Sequence, residues 1–98
     1  MPRMVVKNMV WKVKGKGKPV VEVWEDFYGN LWFITEKDAG DGLSFGYARL
    51  YHMPDCAEWG YMSWDEIEQA VGKGRVWKVN ERAWSNIVSY EDGLLLEV

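Results

Sequence analysis

With 98 residues, the chain has room for a single domain spanning residues 1–98 and built around one hydrophobic core. Hydrophobic residues make up 48% and charged residues 28% of the sequence, a balance typical of a globular protein and not of a disordered one. The only cysteine, Cys56, excludes an intramolecular disulfide, and neither an apolar leader nor a membrane-length apolar run occurs, so we expect a cytoplasmic protein.

The net charge of −3 conceals a strong asymmetry along the chain. Residues 1–18 carry six basic side chains and no acidic one, whereas the other 80 residues carry six basic and 15 acidic side chains. The basic end and the acidic body would therefore attract different partners.

Alternating apolar and polar side chains predict four strands in the first half of the chain, since successive side chains of a strand point to opposite faces. Segments rich in glycine, proline and aspartate separate them and predict turns, including a two-residue hairpin loop at Gly29-Asn30. The predicted strands are residues 4–13, 20–28, 31–36 and 43–52, and the other predicted turns are residues 14–19 and 38–42.

A helix is predicted at residues 64–71, after a loop that precedes it. Ser63 and Glu66 have the spacing of a capping box, and Gly72 is placed to end the helix. Beyond it, the sequence predicts a strand at 75–79 and a helical turn at 80–86, followed by a hairpin. The two strands of that hairpin are residues 87–90 and 94–98, joined by the turn 91–93.

These elements predict an α+β fold. We expect an antiparallel, strongly twisted sheet or partly open barrel of five to seven strands, with an N-terminal four-strand meander. The single helix at about 64–71 would cover one face of the sheet.

The sharpest charged feature is a run of lysines at every second position, from the end of the first predicted strand through the turn after it: Lys12, Lys14, Lys16 and Lys18. An extended ribbon would point alternate side chains the same way, so these lysines could contact phosphates of a nucleic acid while a nearby tryptophan stacks on a base. The competing interpretation is a solvated turn whose lysines protect an edge strand, and the acidic body, which would repel a polyanion, favours it.

No catalytic or metal-binding motif stands out. Cys56 could act as a nucleophile with His52 as its base and Asp55 orienting the imidazole. The nucleophile and base of such a pair are seldom so close in sequence, and a buried structural cysteine near a surface histidine is the better interpretation. One histidine and one cysteine leave a zinc site two ligands short. The carboxylates of Glu36, Asp38 and Asp41 lack calcium-loop spacing and indicate a hydrated turn. We therefore expect no enzyme activity, no metal and no cofactor.

Aromatic residues make up 15% of the chain, with seven tryptophans, more than a core of this size encloses. Those within predicted strands are assigned to the core: Trp11, Trp24, Trp32 and Trp77. Those near the helix entry and in the least regular segment are the candidates for binding a partner: Trp59, Tyr61, Trp64 and Trp84.

The leading functional hypothesis is a small non-enzymatic interaction protein that binds a protein partner, or a second copy of itself, through this aromatic surface. The first alternative is a nucleic-acid-binding accessory protein that uses the basic residues 12–18. The second is an acidic inhibitor that mimics DNA, which has less support because the carboxylates show no regular spacing. A membrane partner is not expected.

Overall fold

The computed structural model describes residues 10–90 and 95–97 of the chain, which form seven strands and two short α-helices. The strands are β1 Trp11–Val13, β2 Glu22–Asp26, β3 Leu31–Gly40, β4 Leu43–Leu50, β5 Met53–Met62, β6 Val76–Lys78 and β7 Leu95–Glu97. The helices are α1 Trp64–Val71 and α2 Trp84–Tyr90, and a 3-10 turn at Glu81–Ala83 leads into α2.

Five of the strands form one antiparallel sheet in the order β5-β4-β3-β2-β6, and β1 pairs separately with β7. The predicted α+β class with an antiparallel sheet is confirmed. The four-strand meander is β2 to β5, one strand later than predicted, because β1 leaves the sheet to pair with the other end of the chain. The part of the first predicted strand before residue 10 lies outside the described residues.

One face of the sheet packs against β1 and α2. Side chains alternate along the strands, so that Val23, Phe33 and Tyr47 come from neighbouring strands to the same face. The buried residues of this first core cluster are Val13, Val20, Val23, Leu31, Phe33, Tyr47, Trp84 and Ile87. Burial of these apolar side chains holds the β1 end and the α2 end of the chain against the same strands.

The opposite face packs against α1. Trp24 and Trp32 are directly opposed in the register of β2 and β3, and with Ile34 and Val76 they form the second core cluster. The helix begins as predicted, since the Ser63 side chain accepts a hydrogen bond of 3.1 Å from the Glu66 amide. Its apolar stripe, which includes Trp64 and Ile67, packs against this cluster.

The segment before α1 was predicted to be a loop, and that prediction is wrong. Residues 53–62 form β5, one edge of the sheet. Pro54 and Gly60 hid the strand in the sequence, because both residues are depleted in strands in general. An edge strand tolerates proline since only one of its sides must donate to the sheet.

The segment 87–90 was predicted to be a strand, and it is helical instead. The side chain of Asn80 accepts a hydrogen bond of 2.9 Å from the Arg82 amide and starts the 3-10 turn. Trp84 and Ile87, three positions apart, then lie on the same side of α2 and are both buried. The predicted C-terminal hairpin is thereby replaced by pairing of β7 with β1, and its turn at 91–93 lies outside the described residues.

A buried carboxylate, and not a two-residue turn, organises the link between β2 and β3. Asp26 is 2% exposed and accepts hydrogen bonds from the amides of Tyr28 and Asn30, both 2.9 Å, and from the Asn30 side chain at 2.8 Å. The loop therefore spans residues 27–30. The tight turn lies between β3 and β4, where Asp41 and Gly42 both have positive φ, as a type I′ hairpin requires.

Gly46 in β4 is required by a close backbone approach. A Cβ at this position would clash with the carbonyl oxygen of Phe33 and lie 2.9 Å from the Ile34 Cα. Its cross-strand partner Gly60 has nothing within 4 Å of the corresponding position. A side chain at position 46 would therefore collide with the β3 backbone, whereas a Cβ at position 60 would meet no neighbouring atom.

Gly46→Ala is expected to lower the free energy of unfolding by about 1–3 kcal/mol, since overpacking displaces the β3 backbone. Gly60→Ala should leave it unchanged or raise it by up to about 1 kcal/mol, because glycine is unfavourable inside a strand. Urea denaturation of both variants makes the comparison. Equal effects of the two substitutions would contradict this description of the β3–β4 contact.

Glu22 satisfies the only polar atom of the buried Trp24 ring. The Trp24 indole N–H donates a hydrogen bond of 2.9 Å to the Glu22 carboxylate, whose other oxygen lies 2.9 Å from the Lys37 ammonium and 3.7 Å from that of Lys78. Partial burial opposes ionisation, but the indole hydrogen bond and the two ammonium groups outweigh it. The pKa of Glu22 is therefore lowered from its ordinary value of 4.5.

The lowered pKa predicts an acid-sensitive contribution to stability. Ionised Glu22 contributes fully above its ordinary pKa of 4.5, and the contribution declines as the pH falls from there through the lower pKa of the folded state. Glu22→Gln keeps an acceptor for Trp24 and removes the charge. Urea unfolding from pH 7 down to pH 3 should show wild type and variant converging below pH 4.5, and a constant difference across this range would contradict the prediction.

Candidate functional site

Four aromatic residues lie together on the neighbouring strands β4 and β5. Register pairs Phe45 with Tyr61 and Tyr47 with Trp59, so all four rings point to the same face. Phe45 and Tyr61 meet edge to face with ring centroids 5.1 Å apart, and Tyr47 and Trp59 do so at 5.3 Å. These four residues are called the aromatic patch below.

The rings on β5 are more exposed than the Tyr47 ring on β4. Tyr47 is 9% exposed and belongs to the first core cluster, Trp59 is 37% exposed, and Tyr61 is 66% exposed. The patch is therefore the continuation of the core beyond the reach of β1 and α2. The Phe45 ring also packs against the Trp59 ring, with the two ring planes nearly parallel at 14° and the centroids 6.1 Å apart.

The turn after β1 borders the patch. Gly17 has a φ of +78°, and a Cβ built on it would lie 3.2 Å from the Cη2 atom of Trp59. A side chain at Gly17 would push against the indole, so the glycine is needed for its backbone conformation and for the close contact. The turn thereby covers one part of the Trp59 ring and leaves the rest accessible.

A cavity of about 340 Å³ opens between this turn and the patch. Its lining combines three aromatic rings, one of them a phenol, with one cation, one carboxylate and one aliphatic hydroxyl: Gly17, Lys18, Thr35, Glu36, Phe45, Trp59 and Tyr61. The Lys18 ammonium lies 3.4 Å from the Glu36 carboxylate, and both side chains are well exposed. A surface pair of this kind is weak, so both groups are available to a ligand.

A β-bulge in β3 shapes the polar side of the cavity. Ile34 pairs with Gly46, but Glu36 pairs with Phe45, so β3 has one extra residue at Thr35. The Thr35 hydroxyl is turned to donate a hydrogen bond of 3.3 Å to the Phe45 carbonyl. The bulge consequently brings Glu36 opposite Phe45, beside the aromatic patch.

The structure brings two of the predicted partner-binding residues together, Trp59 and Tyr61, and places the other two elsewhere. Trp64 packs edge to face against Trp24 at 5.1 Å, with the Lys78 ammonium 5.3 Å from its ring centroid. Trp84 is 4% exposed and donates its indole N–H to the Val79 carbonyl at 3.2 Å. Both rings thus hold helices against the sheet.

The predicted lysine ribbon is not extended. β1 ends at Val13, and the positive φ values of Lys14, Gly15 and Gly17 turn the chain instead. The alternation on which the prediction depended therefore stops at Lys12. Of the four lysines, Lys18 is the one that lines the cavity of the aromatic patch.

Two further expectations are wrong. Trp77, assigned to the core from the sequence, is 40% exposed on the edge strand β6 and donates its indole N–H to Glu25 at 3.2 Å. Cys56, expected to be buried, is exposed on β5. His52 is exposed in the β4–β5 turn and packs against Tyr51 with ring centroids 5.5 Å apart.

The site residues that the sequence did not single out are Gly17, Thr35, Phe45 and Tyr47, and Glu36 was interpreted only as part of a hydrated turn. The sequence did contain a signal for Phe45 and Tyr47, because their alternation in a predicted strand places both side chains on the same face. Neither the bulge that moves Glu36 nor the contact of Gly17 with Trp59 has a sequence signature.

Other markers of function are few. Within the described residues, no group of three or more His, Cys, Asp and Glu side chains is arranged to hold a metal ion, and no helix is long and apolar enough to cross a membrane. No known family model matches the chain, and searches among curated proteins and among solved structures likewise find no significant match.

The exposures predict which tryptophans a soluble quencher reaches. Trp59→Phe and Trp77→Phe should each lower the fraction of fluorescence that acrylamide quenches, whereas Trp84→Phe should leave that fraction unchanged or raise it. Loss of quenchable fluorescence in Trp84→Phe but not in Trp59→Phe would contradict the placement of the two rings.

Proposed function

We propose that this protein is a non-enzymatic interaction module that binds a protein partner through the aromatic patch. The observation that supports this most directly is the exposure of Tyr61 and Trp59 around a cavity of about 340 Å³ at a free sheet edge. Tyrosine and tryptophan at the centre of a contact contribute most of the binding free energy in many interfaces.

The chemistry of the cavity suits a protein better than a small polar substrate. Its lining includes three aromatic residues, and its polar groups include the Thr35 hydroxyl, already bonded to the backbone, the Tyr61 hydroxyl and an exposed ion pair. An apolar centre with a polar rim is the usual composition of a protein interface. The exposed thiol of Cys56 is compatible with the reducing, cytoplasmic setting that we include in the proposal.

Nucleic-acid binding is the second candidate, and one observation favours it: Lys18 and Trp59 line the same cavity. A phosphate on Lys18 with a base against Trp59 would be a reasonable geometry for a single strand. The carboxylate of Glu36 beside Lys18 and the net charge of −3 oppose it, because both repel a phosphate. Mimicry of DNA by the acidic body remains a third hypothesis, which no arrangement of carboxylates described above supports.

Selection from a random dodecapeptide display library on the immobilised full chain tests the proposal. Peptides that bind wild type should bind Tyr61→Ala more weakly by about 2 kcal/mol, the size of an interface hot spot. Tyr51→Ala is the matched control, because Tyr51 is also exposed, at 56%, but lies in the β4–β5 turn away from the cavity.

Failure to select any peptide whose binding depends on Tyr61 would contradict the proposal, as would equal losses in the two variants. Light scattering of the free protein distinguishes the self-binding form, in which Tyr61→Ala would convert a dimer to a monomer. Binding of single-stranded oligonucleotides that weakens steeply with salt and disappears in Lys18→Ala would favour the second candidate instead.

A further inference from the structure

The strand that carries Trp59 and Tyr61 is an open edge of the sheet. β5 is ten residues long, and its residues 58–62 pair in continuous register with β4. Its other side pairs with no strand among the described residues, whereas the opposite edge, β6, has three residues. An edge with free backbone N–H and C=O groups is a template for another strand.

A cavity borders β5 on each of the two faces of the sheet. The first, described above, lies on the face of Trp59 and Tyr61. The second, of about 420 Å³, lies on the opposite face between the strands and α1. Apolar side chains line it together with two carboxylates, and its lining includes Trp32, Leu50, Met62, Ile67, Glu58 and Glu66. Trp59 and Tyr61 of β5 border this cavity as well as the first. A strand added to β5 would point alternate side chains to these two faces.

Gly60 keeps the second cavity open. It lies between Glu58 and Met62 on the face of Ala48, and a Cβ at this position would have nothing within 4 Å. Its φ lies outside the left-handed region, so its backbone conformation is open to any residue. The missing side chain therefore leaves room for a ligand and is not required by the fold.

The charge beside the second cavity selects a basic occupant. Residues 50–72 contain no lysine or arginine and five carboxylates: Asp55, Glu58, Asp65, Glu66 and Glu68. Glu58 and Glu66 form no ion pair with any residue that the structure describes. A lysine or arginine has an apolar stem for the cavity floor and a cationic head for these carboxylates.

We propose that β5 binds an extended basic segment of the partner protein as a sixth strand of the sheet. Side chains of this segment would alternate between apolar or aromatic residues in the cavity of the aromatic patch and lysine or arginine beside Glu58 and Glu66. Backbone hydrogen bonds to β5 supply affinity, and the two cavities supply specificity. The inference rests on the proposed function and adds the chemistry of the partner to it.

The peptides selected from the dodecapeptide library provide the probe. Their sequences should be enriched in lysine or arginine at positions that alternate with apolar or aromatic residues. N-methylation of alternate backbone nitrogens should abolish binding in one of the two alternating sets and be tolerated in the other, because only one set faces β5. Equal tolerance of both sets would overturn strand addition.

Variants of the protein test the second cavity separately. Gly60→Val fills it at a position without steric conflict, and valine favours strands, so the fold should be retained while peptide binding is lost. The double variant Glu58→Gln with Glu66→Gln should weaken binding about tenfold. A control with the same change in charge, Asp41→Asn with Glu81→Gln, lies outside both cavities and should leave affinity unchanged.

Peptides that depend on Tyr61 but show no basic enrichment and are insensitive to Gly60→Val would overturn this inference and leave the proposed function standing. Dependence on neither Tyr61 nor Gly60 would overturn both. Urea denaturation of each variant shows whether a loss of binding reflects a loss of folding.

Discussion

A five-stranded sheet with apolar side chains on both faces needs cover on both. In the part of the chain that the structure describes, an eight-residue helix, a seven-residue helix and a two-stranded ribbon provide it. That cover lies mainly over β2 and β3, where Trp24, Phe33 and Ile34 are almost completely buried. The faces of β4 and β5 extend beyond it. The candidate site lies where the cover by the described elements ends.

The tryptophans divide according to the same geometry. Trp24 and Trp32 lie under α1, and Trp84 attaches α2 to the other face, so that these rings contribute mainly to stability. Trp59 and Trp77 lie on the two edge strands and are partly exposed. The two edges differ, because β6 is short and β5 is long and bordered by a cavity on each face.

The fold class and the helix at 64–71 could be predicted because periodicity and the Ser63 cap are local signals. The strand β5 could not, since proline and glycine conceal it and only pairing with β4 stabilises it. Helix α2 could not be predicted either, because burial of Trp84 and Ile87 outweighs the strand preference of the segment. Trp59 and Tyr61 were identified as exposed candidates, but the second cavity depends on contacts distant in sequence.

Amide hydrogen exchange resolved by NMR tests most directly whether β5 is an open edge that accepts a strand. In the free protein, alternate amides of residues 58–62 should exchange rapidly while their neighbours, bonded to β4, exchange slowly. A bound basic peptide should slow the rapid set. Uniformly slow exchange along β5 in a monomer, or protection that appears elsewhere on binding, would contradict strand addition at β5.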